Sequence, residues 1–306
     1  MELLKTKTQI NFLGMRHVLI TVSFLVLAMT FYLWVSQGDT KYGVDFKGGT
    51  ELIVKFNEAV SAEDVRKAFS NVGLNEVAVQ QFQGQNQFSI KLAQDQSGEA
   101  EKEKLKQILQ SVKPSGFELL KEDFVGPIIG EQIRKDALLA LIFSLVAMLT
   151  YVAFRFDWRF GVGAIVALFH DVIFTLGFCL LAHKELSAGL LAALLTIVGY
   201  SMNDTVIVFD RVRENLTKAR KNKSANKQKE DTKFYIDIMN LSINETLSRT
   251  ILTSMTAFLV VTTLWLFGGG AVADLNFALM VGILVGTYSS IFIACPFVLA
   301  CCKTDK

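Results

Sequence analysis

Six long apolar segments dominate the sequence and restrict what this chain can fold into. Each is close to the roughly 20 residues that an α-helix needs to cross the hydrocarbon core of a bilayer. The sequence therefore predicts a polytopic α-helical membrane protein with six transmembrane helices. The last helix is predicted to be tilted or interrupted near Pro296. The segments cover residues 17–35, 137–154, 160–182, 188–209, 251–267 and 275–300.

Charged residues outside the apolar segments predict the orientation in the membrane. Lys and Arg precede the first segment, separate the second from the third, and predominate in residues 210–250. By the positive-inside rule both termini are then cytoplasmic and residues 36–136 are periplasmic. The predicted domains are a cytoplasmic N-terminus (1–16), helix 1 (17–35), a periplasmic domain (36–130), and helices 2–6 (131–306) with a basic cytoplasmic loop at 210–250.

Several classes of function are excluded by what the sequence lacks. The basic loop has no interleaved aromatic residues that could stack on bases, so we expect contact with anionic lipid headgroups and no nucleic acid. No phosphate-binding loop of the Gly-x-x-x-x-Gly-Lys-Ser/Thr type occurs, so energy must come from an ion gradient or a partner rather than from ATP. The periplasmic domain contains no His or Cys. We predict no enzymatic activity, no cofactor and no metal.

The periplasmic domain shows six short periodic segments. Strands are predicted at residues 50–56, 76–82, 87–92 and 117–125, and helices at residues 61–72 and 101–112. Ser61 is the predicted N-cap of the first helix, with Asp64 three residues later. The order β-α-β-β-α-β is that of a ferredoxin-like α+β domain. One open sheet face and the strand edges of such a domain can accept an extended peptide.

Glycine-rich segments flank this domain. Residues 43–49 enter it and residues 125–130 leave it for the second apolar segment. Plain domain linkers are one interpretation, because glycines permit tight turns. The functional interpretation is a hinge that transmits motion between membrane and domain. The candidate hinge residues are Gly43, Asp45, Phe46, Gly48, Gly49, Gly126, Pro127 and Gly130.

Ionisable residues within the apolar segments are the candidate functional site, because such residues are costly in a bilayer. His170 and Asp171 lie about 17 Å along the third helix. Asn203 and Asp204 lie nearer the cytoplasmic end of the fourth, and Arg249 lies where the fifth begins. An Asp beside a guanidinium could load and release a proton. Structural alternatives remain: a static Asp204, an Asp171 that only packs, and an Arg249 that reaches the headgroups.

Small polar residues accompany these groups. They either line a polar path or hold helices together, as is common in membranes. Those considered are Ser201, Thr253, Ser254 and Thr256.

Three sequence motifs carry a family resemblance. They are Gly-Val-Asp-Phe-Lys-Gly-Gly at residues 43–49, Val-Gly-Pro-Ile-Ile-Gly at 125–130, and Gly-Tyr-Ser-Met-Asn-Asp-Thr at 199–205 with Asp-Arg-Val-Arg-Glu-Asn at 210–215. With the layout of one span, an exported domain and five more spans, the chain resembles the SecF branch of the SecD/SecF family. These are the smaller membrane subunits of the SecDF protein-export complex, within the RND superfamily of proton-driven transporters.

The resemblance implies an RND half-unit in the bacterial inner membrane that couples the proton-motive force to late steps of preprotein translocation. It places Asp204 and Arg249 in the proton path, facing an acidic residue of SecD. The implied partners are SecD, which completes the two-half unit, the SecYEG channel, YajC and the translocating preprotein. Two other functions fit the residues: half of a small-molecule or lipid efflux transporter, and a scaffold of the Sec channel that moves no protons.

Overall fold

The computed structural model describes residues 8–72, 74, 77–82, 86–92, 99–112, 116–223 and 232–303. Its six helices that are long and apolar enough to cross a membrane confirm the predicted architecture. They are α1 (Arg16–Ser36), α5 (Pro127–Arg155), α6 (Trp158–Leu181), α7 (Ala188–Lys223), α8 (Thr232–Phe267), and α9 (Gly270–Ser289) with α10 (Cys295–Lys303).

A π-helical turn, Ser290–Ala294, joins α9 to α10 and interrupts the last span as predicted. Proline has no backbone N–H and its ring crowds the preceding turn, so Pro296 disturbs the regular hydrogen-bond ladder there. The helix continues beyond this turn, so α9 and α10 form one transmembrane element with a π-helical interruption.

Residues 210–250, predicted as a cytoplasmic loop, are largely helical. Helix α7 continues to Lys223 and α8 begins at Thr232, while residues 224–231 lie outside the described residues. Charged side chains stabilise these extensions: Arg211 contacts Glu245 across the two helices at 2.7 Å, and Glu214 accepts from Lys218 at 2.5 Å. Glu214 and Lys218 are four residues apart on α7, a spacing at which opposite charges support helix formation. Composition alone did not reveal this pairing.

The membrane helices differ in how much of their surface the chain itself covers. Helices α6, α7 and α9 are about half buried in their most apolar windows, whereas α1, α5 and α8 are mostly exposed. Small residues permit close approach in the centre. A Cβ on Gly282 of α9 would lie 2.1 Å from Ile197 on α7, and one on Gly163 of α6 would lie 2.7 Å from Val298.

The predicted ferredoxin-like domain is confirmed between α1 and α5. Its elements are β1 (Gly49–Phe56), α3 (Ala62–Ser70), β2 (Ala78–Gln81), β3 (Gln87–Leu92), α4 (Glu99–Val112) and β4 (Phe117–Val125). The sheet order is β2-β3-β1-β4 with antiparallel neighbours throughout. Ser61 and Asp64 form the expected capping box of α3. The hairpin turn at residues 83–85 lies outside the described residues.

One face of the sheet packs on α3 and α4, and the other faces the membrane helices. Alternate residues of β1 and β3, including Val54, Phe56, Phe88 and Ile90, are buried against the helices in a separate apolar core. Residues on the opposite face contact the turn after α6 and the turn after α8. This face, predicted to be open, is therefore partly covered by the membrane part of the chain.

Candidate functional site in the helix bundle

A buried acid–imidazole pair lies in the middle of α6. His170 and Asp171 are 4% and 0% exposed, and His170 Nδ1 lies 3.0 Å from Asp171 Oδ1. The other carboxylate oxygen accepts hydrogen bonds from Ser201 of α7 and, at 2.7 Å, from Ser289 of α9. Asp171 thus joins three helices through three polar contacts, which offset much of the cost of its burial.

A chain of hydroxyl groups links this pair to α1 and fixes the tautomer of the histidine. The Tyr288 hydroxyl donates to the carbonyl oxygen of Leu19 at 2.9 Å, so it accepts from Ser23 at 3.0 Å. Ser23 in turn accepts from Nε2 of His170 at 3.1 Å. Because Nε2 carries a hydrogen, the contact between Nδ1 and Asp171 holds a further proton on one partner or the other. The pair is net neutral in either case.

Asp204 is the second buried carboxylate, and it has fewer partners. It is 1% exposed. Oδ2 accepts from Ser254 of α8 at 3.2 Å, and Ser254 lies 2.7 Å from the Thr287 hydroxyl of α9. Oδ1 is buried and has no hydrogen-bond partner within the part of the chain that the structure describes. A buried acceptor without a donor is costly, so this oxygen is a natural place for a proton or a further donor.

The α7 residue that bonds to Asp171 lies close to Asp204 on the same helix. Ser201, which donates to Asp171, precedes Asp204 by three residues, which is about 4.5 Å of helical rise. Both residues lie on the buried side of α7. The polar groups of α6, α7, α8 and α9 therefore form two adjacent layers that meet at α7.

The structure does not bring all five candidate residues together. Asn203 and Arg249 are exposed at the surface of the chain. Within the described ranges, no ion pair at 4.0 Å or less joins Arg249 to Asp204, although the two groups interact electrostatically. Asn203 follows the buried Met202 and precedes the buried Asp204, so helical geometry places it on another side of α7. His170, Asp171 and Asp204 line the interior, and Asn203 and Arg249 face outward.

Among the small polar residues, Ser201 and Ser254 reach the carboxylates, whereas the half-buried Thr253 and the exposed Thr256 bond to carbonyls of their own helix. Sequence reasoning missed Ser23, Thr287, Tyr288 and Ser289. The run Thr287-Tyr288-Ser289-Ser290 within an apolar span was an available signal, since four successive polar residues are unusual there.

The two glycine-rich flanks of the ferredoxin-like domain meet at one place. A Cβ on Gly130 would lie 3.0 Å from the backbone nitrogen of Gly48, so α5 begins against the short helix α2 (Val44–Lys47). Gly49 has φ 138°, and a Cβ there would lie 2.5 Å from the carbonyl oxygen of Leu92. Phe46 is 9% exposed. Glycine is required here by close packing as well as by backbone conformation.

No cluster of three or more His, Cys, Asp or Glu side chains among the described residues has the geometry to hold a metal ion. The site consists of carboxylates, hydroxyls and one imidazole, which are groups that accept and pass protons.

A family model for "Protein export membrane protein SecD/SecF, C-terminal" matches residues 104–304. The chain belongs to the SecD/SecF family. Proteins named "Protein translocase subunit SecF" resemble it over nearly its whole length. That of Rickettsia rickettsii (strain Sheila Smith) is 39% identical over 97% of this chain and 93% of its own. That of Thermodesulfovibrio yellowstonii is 39% identical over 96% of this chain and 95% of its own.

Solved SecDF structures share the fold. The crystal structure of SecDF, a translocon-associated membrane protein from Thermus thermophilus, matches with a TM-score of 0.82 and 35% identity over 97% of this chain. SecDF in a super-membrane-facing form matches with a TM-score of 0.68 at the same identity. This chain spans 39% of the length of either SecDF chain.

Proposed function

We propose that this SecD/SecF-family protein is a non-enzymatic subunit of the bacterial Sec export machinery that couples the proton-motive force to late steps of preprotein translocation. The observation that carries the proposal is Asp204. Its carboxylate is buried in a membrane-spanning helix with one oxygen unpaired among the described residues. Uptake of a proton removes the cost of burying an unpaired charged oxygen. Helix α7, which carries Asp204, also contacts the exported domain through Ala188 and Asp45.

In this proposal Asp204 is the group that exchanges protons. The His170–Asp171 pair, connected through Ser201, holds one further proton and keeps α6, α7 and α9 in register. Arg249 and Asn203 face outward from this chain and act at the boundary with a partner. Helix motion reaches the domain through a joint that consists of its two flanks, residues 43–49 and residues 126–130, the second of which includes Pro127.

The proposed partner is a second six-helix half with an acidic group, and SecD is the candidate. Exposed Arg249 lies on α8, a helix that the chain itself barely covers. Among the residues that the structure describes, no carboxylate lies within 4.0 Å of its guanidinium, so a partner that supplies an acidic group fits this position. The remaining exposed apolar surface of α1 and α5 contacts membrane lipids or this partner. The SecYEG channel, YajC and the preprotein complete the proposed set of partners.

The proposed topology follows the charges. The protein is a multi-pass inner-membrane protein in which both termini are cytoplasmic and residues 36–136 are periplasmic. The extensions of α7 and α8 then lie in the cytoplasm with their basic residues near anionic headgroups, and no nucleic acid is involved.

The test is completion of a translocation intermediate in membrane vesicles that contain the assembled complex, with and without an imposed proton gradient. Asp204→Asn keeps the shape of the side chain and removes its ability to ionise. We expect the variant to lose the gradient-dependent increment and to retain gradient-independent export. Asp237→Asn is the matched control, because Asp237 is an exposed residue of α8. Full gradient-dependent export by Asp204→Asn would favour a scaffold that moves no protons.

A further inference from the structure

The exported domain supplies hydrogen-bond acceptors to the first residues of two membrane helices. Asp45 Oδ2 accepts from the backbone N–H of Ala188, the first residue of α7, at 2.7 Å. Gln87 Oε1 accepts from the backbone N–H of Gly270, the first residue of α9, at 2.8 Å. We refer to Asp45–Ala188 and Gln87–Gly270 as the two cap contacts.

Both contacts satisfy groups that a helix cannot satisfy by itself. The first four N–H groups of an α-helix lack partners within the helix, and its N-terminus carries a partial positive charge. The Asp45 carboxylate therefore suits the start of α7 in charge as well as in hydrogen bonding. Gln87 is 7% exposed, so its amide is enclosed at the start of α9.

The backbone around Asp45 is itself tied to the membrane part. The N–H of Gly43 donates to the carbonyl oxygen of Leu186 at 2.8 Å, and the N–H of Leu186 donates to that of Lys41 at 2.7 Å. A salt bridge of 2.7 Å between Lys91 of β3 and Glu185 ties the sheet to the same turn. The turn that precedes α7 is thus held by the entry segment and by the sheet.

The capped helices are those that carry the buried polar site. Helix α7 bears Ser201 and Asp204, and α9 bears Thr287 and Ser289. Because a helix is stiff along its axis, the capped residue Ala188 and Asp204 move together over the roughly 24 Å that separate them. A shift of α7 that accompanies a change at Asp204 therefore acts directly on Asp45.

We infer that Asp45 and Gln87 are positioning residues that tie the axial positions of α7 and α9 to the exported domain. Movement of α7 then reaches the domain through the cap contacts, and Asp45 makes its contact from within the glycine-rich entry segment. The inference rests on the proposed function for its link to export, but the caps themselves are tested separately.

Hydrogen exchange of the assembled complex tests the caps. Asp45→Ala removes the acceptor, whereas Asp45→Asn retains a side-chain oxygen that caps nearly as well. We expect Asp45→Ala to raise the exchange rate of the first amides of α7 by about 2- to 30-fold, and Asp45→Asn to change it little. Gln87→Ala should do the same at the start of α9. Asp39→Ala is the control, because Asp39 is an exposed acidic residue of the same segment.

Gradient-dependent export by the same variants tests the coupling. We expect Asp45→Ala to lower the gradient-dependent increment and to leave gradient-independent export intact, with recovery in Asp45→Asn. Unchanged exchange at the start of α7 in Asp45→Ala would overturn the cap. Faster exchange with a normal increment would overturn its role in coupling. Absence of any gradient-dependent increment in the wild type would refute the proposed function instead, while the exchange result would still decide the caps.

Discussion

Ser201 of α7 donates a hydrogen bond to the buried carboxylate of Asp171 on α6, one helical turn away from Asp204 on its own helix. This contact connects the Asp171 carboxylate to a residue of α7 that precedes Asp204 by three positions. The two carboxylates differ in their surroundings: Asp171 has three polar partners, whereas Asp204 accepts from Ser254. In the function proposed above, Asp171 therefore holds helices together and Asp204 exchanges a proton.

Replacement of Asp171 separates hydrogen bonding from charge. Asn can accept from Ser201 and Ser289 and donate to Nδ1 of His170, so Asp171→Asn should keep most of the stability. Asp171→Leu leaves buried donors unpaired at about 1–3 kcal/mol each. Thermal unfolding of the detergent-solubilised complex measures both, with Thr196→Ala as the control because Thr196 is exposed and bonds its own helix. Equal loss of stability in Asn and Leu variants would contradict the proposed network.

Removal of the Ser254 hydroxyl should impair coupling. Ser254→Ala takes away the hydrogen bond to Asp204, and hydrogen bonds to charged groups contribute about 1.5–3 kcal/mol. We expect the gradient-dependent increment of export to fall about tenfold. Thr253→Ala is the matched control, since its hydroxyl bonds to the carbonyl oxygen of Arg249 on the same helix. If both variants lose the increment equally, the effect does not arise at Asp204.

Close packing of α1 on α6 depends on Gly177. A Cβ at this position would lie 1.9 Å from Oγ1 of Thr30, which is 3% exposed. Gly177→Ala should therefore destabilise the complex by about 1–3 kcal/mol. Thr30→Ala in the same chain should restore part of the loss, because neighbouring substitutions are not additive. Thermal unfolding provides the measurement, and Gly199→Ala, with no atom within 4 Å of its Cβ, should be neutral or stabilising.

The Lys121 ammonium of the exported domain should contribute stability that is lost at alkaline pH. Burial lowers its pKa, but hydrogen bonds to Asp123 and Glu51 and the charges of both carboxylates outweigh burial and raise it above 10.5. A raised pKa means that the contribution is fully present below the unfolded value and disappears as pH rises through the folded one. The stability difference between wild type and Lys121→Met should therefore be constant near neutral pH and shrink above pH 10.5. If the stability difference between wild type and Lys121→Met instead grows above pH 10.5, the pKa of Lys121 is not raised in the folded protein.

Local patterns predicted much of the fold. The six apolar lengths, the period-two strands and the Ser61–Asp64 capping box all depend on residues close in sequence, and the structure shows each of them. Residues 210–250 were predicted as a loop but are largely helical, because charge pairs such as Arg211–Glu245 between α7 and α8 stabilise the helices. Composition records the charges but not their pairing.

The candidate site was predictable only in part. A carboxylate in an apolar span is costly wherever the helix points, so Asp171 and Asp204 stand out from the sequence by themselves. Their hydroxyl partners stand out less: Ser201, Ser254 and Ser289 lie on α7, α8 and α9, and small hydroxyl residues are common in membrane helices. Helix rotation decides which of them face inward.

The sequence by itself determined that this chain has six segments able to cross a membrane, a small α+β domain after the first of them, and ionisable groups within apolar helices. These properties follow from hydrophobic transfer and from backbone hydrogen bonding within each segment, which are local. Only the tertiary structure decided that Asn203 and Arg249 face outward, that Ser201 of α7 bonds to Asp171 of α6, and that Asp45 and Gln87 cap α7 and α9. Contacts of this kind depend on how stiff helices rotate and approach one another, so they bring together residues more than 100 positions apart in the chain.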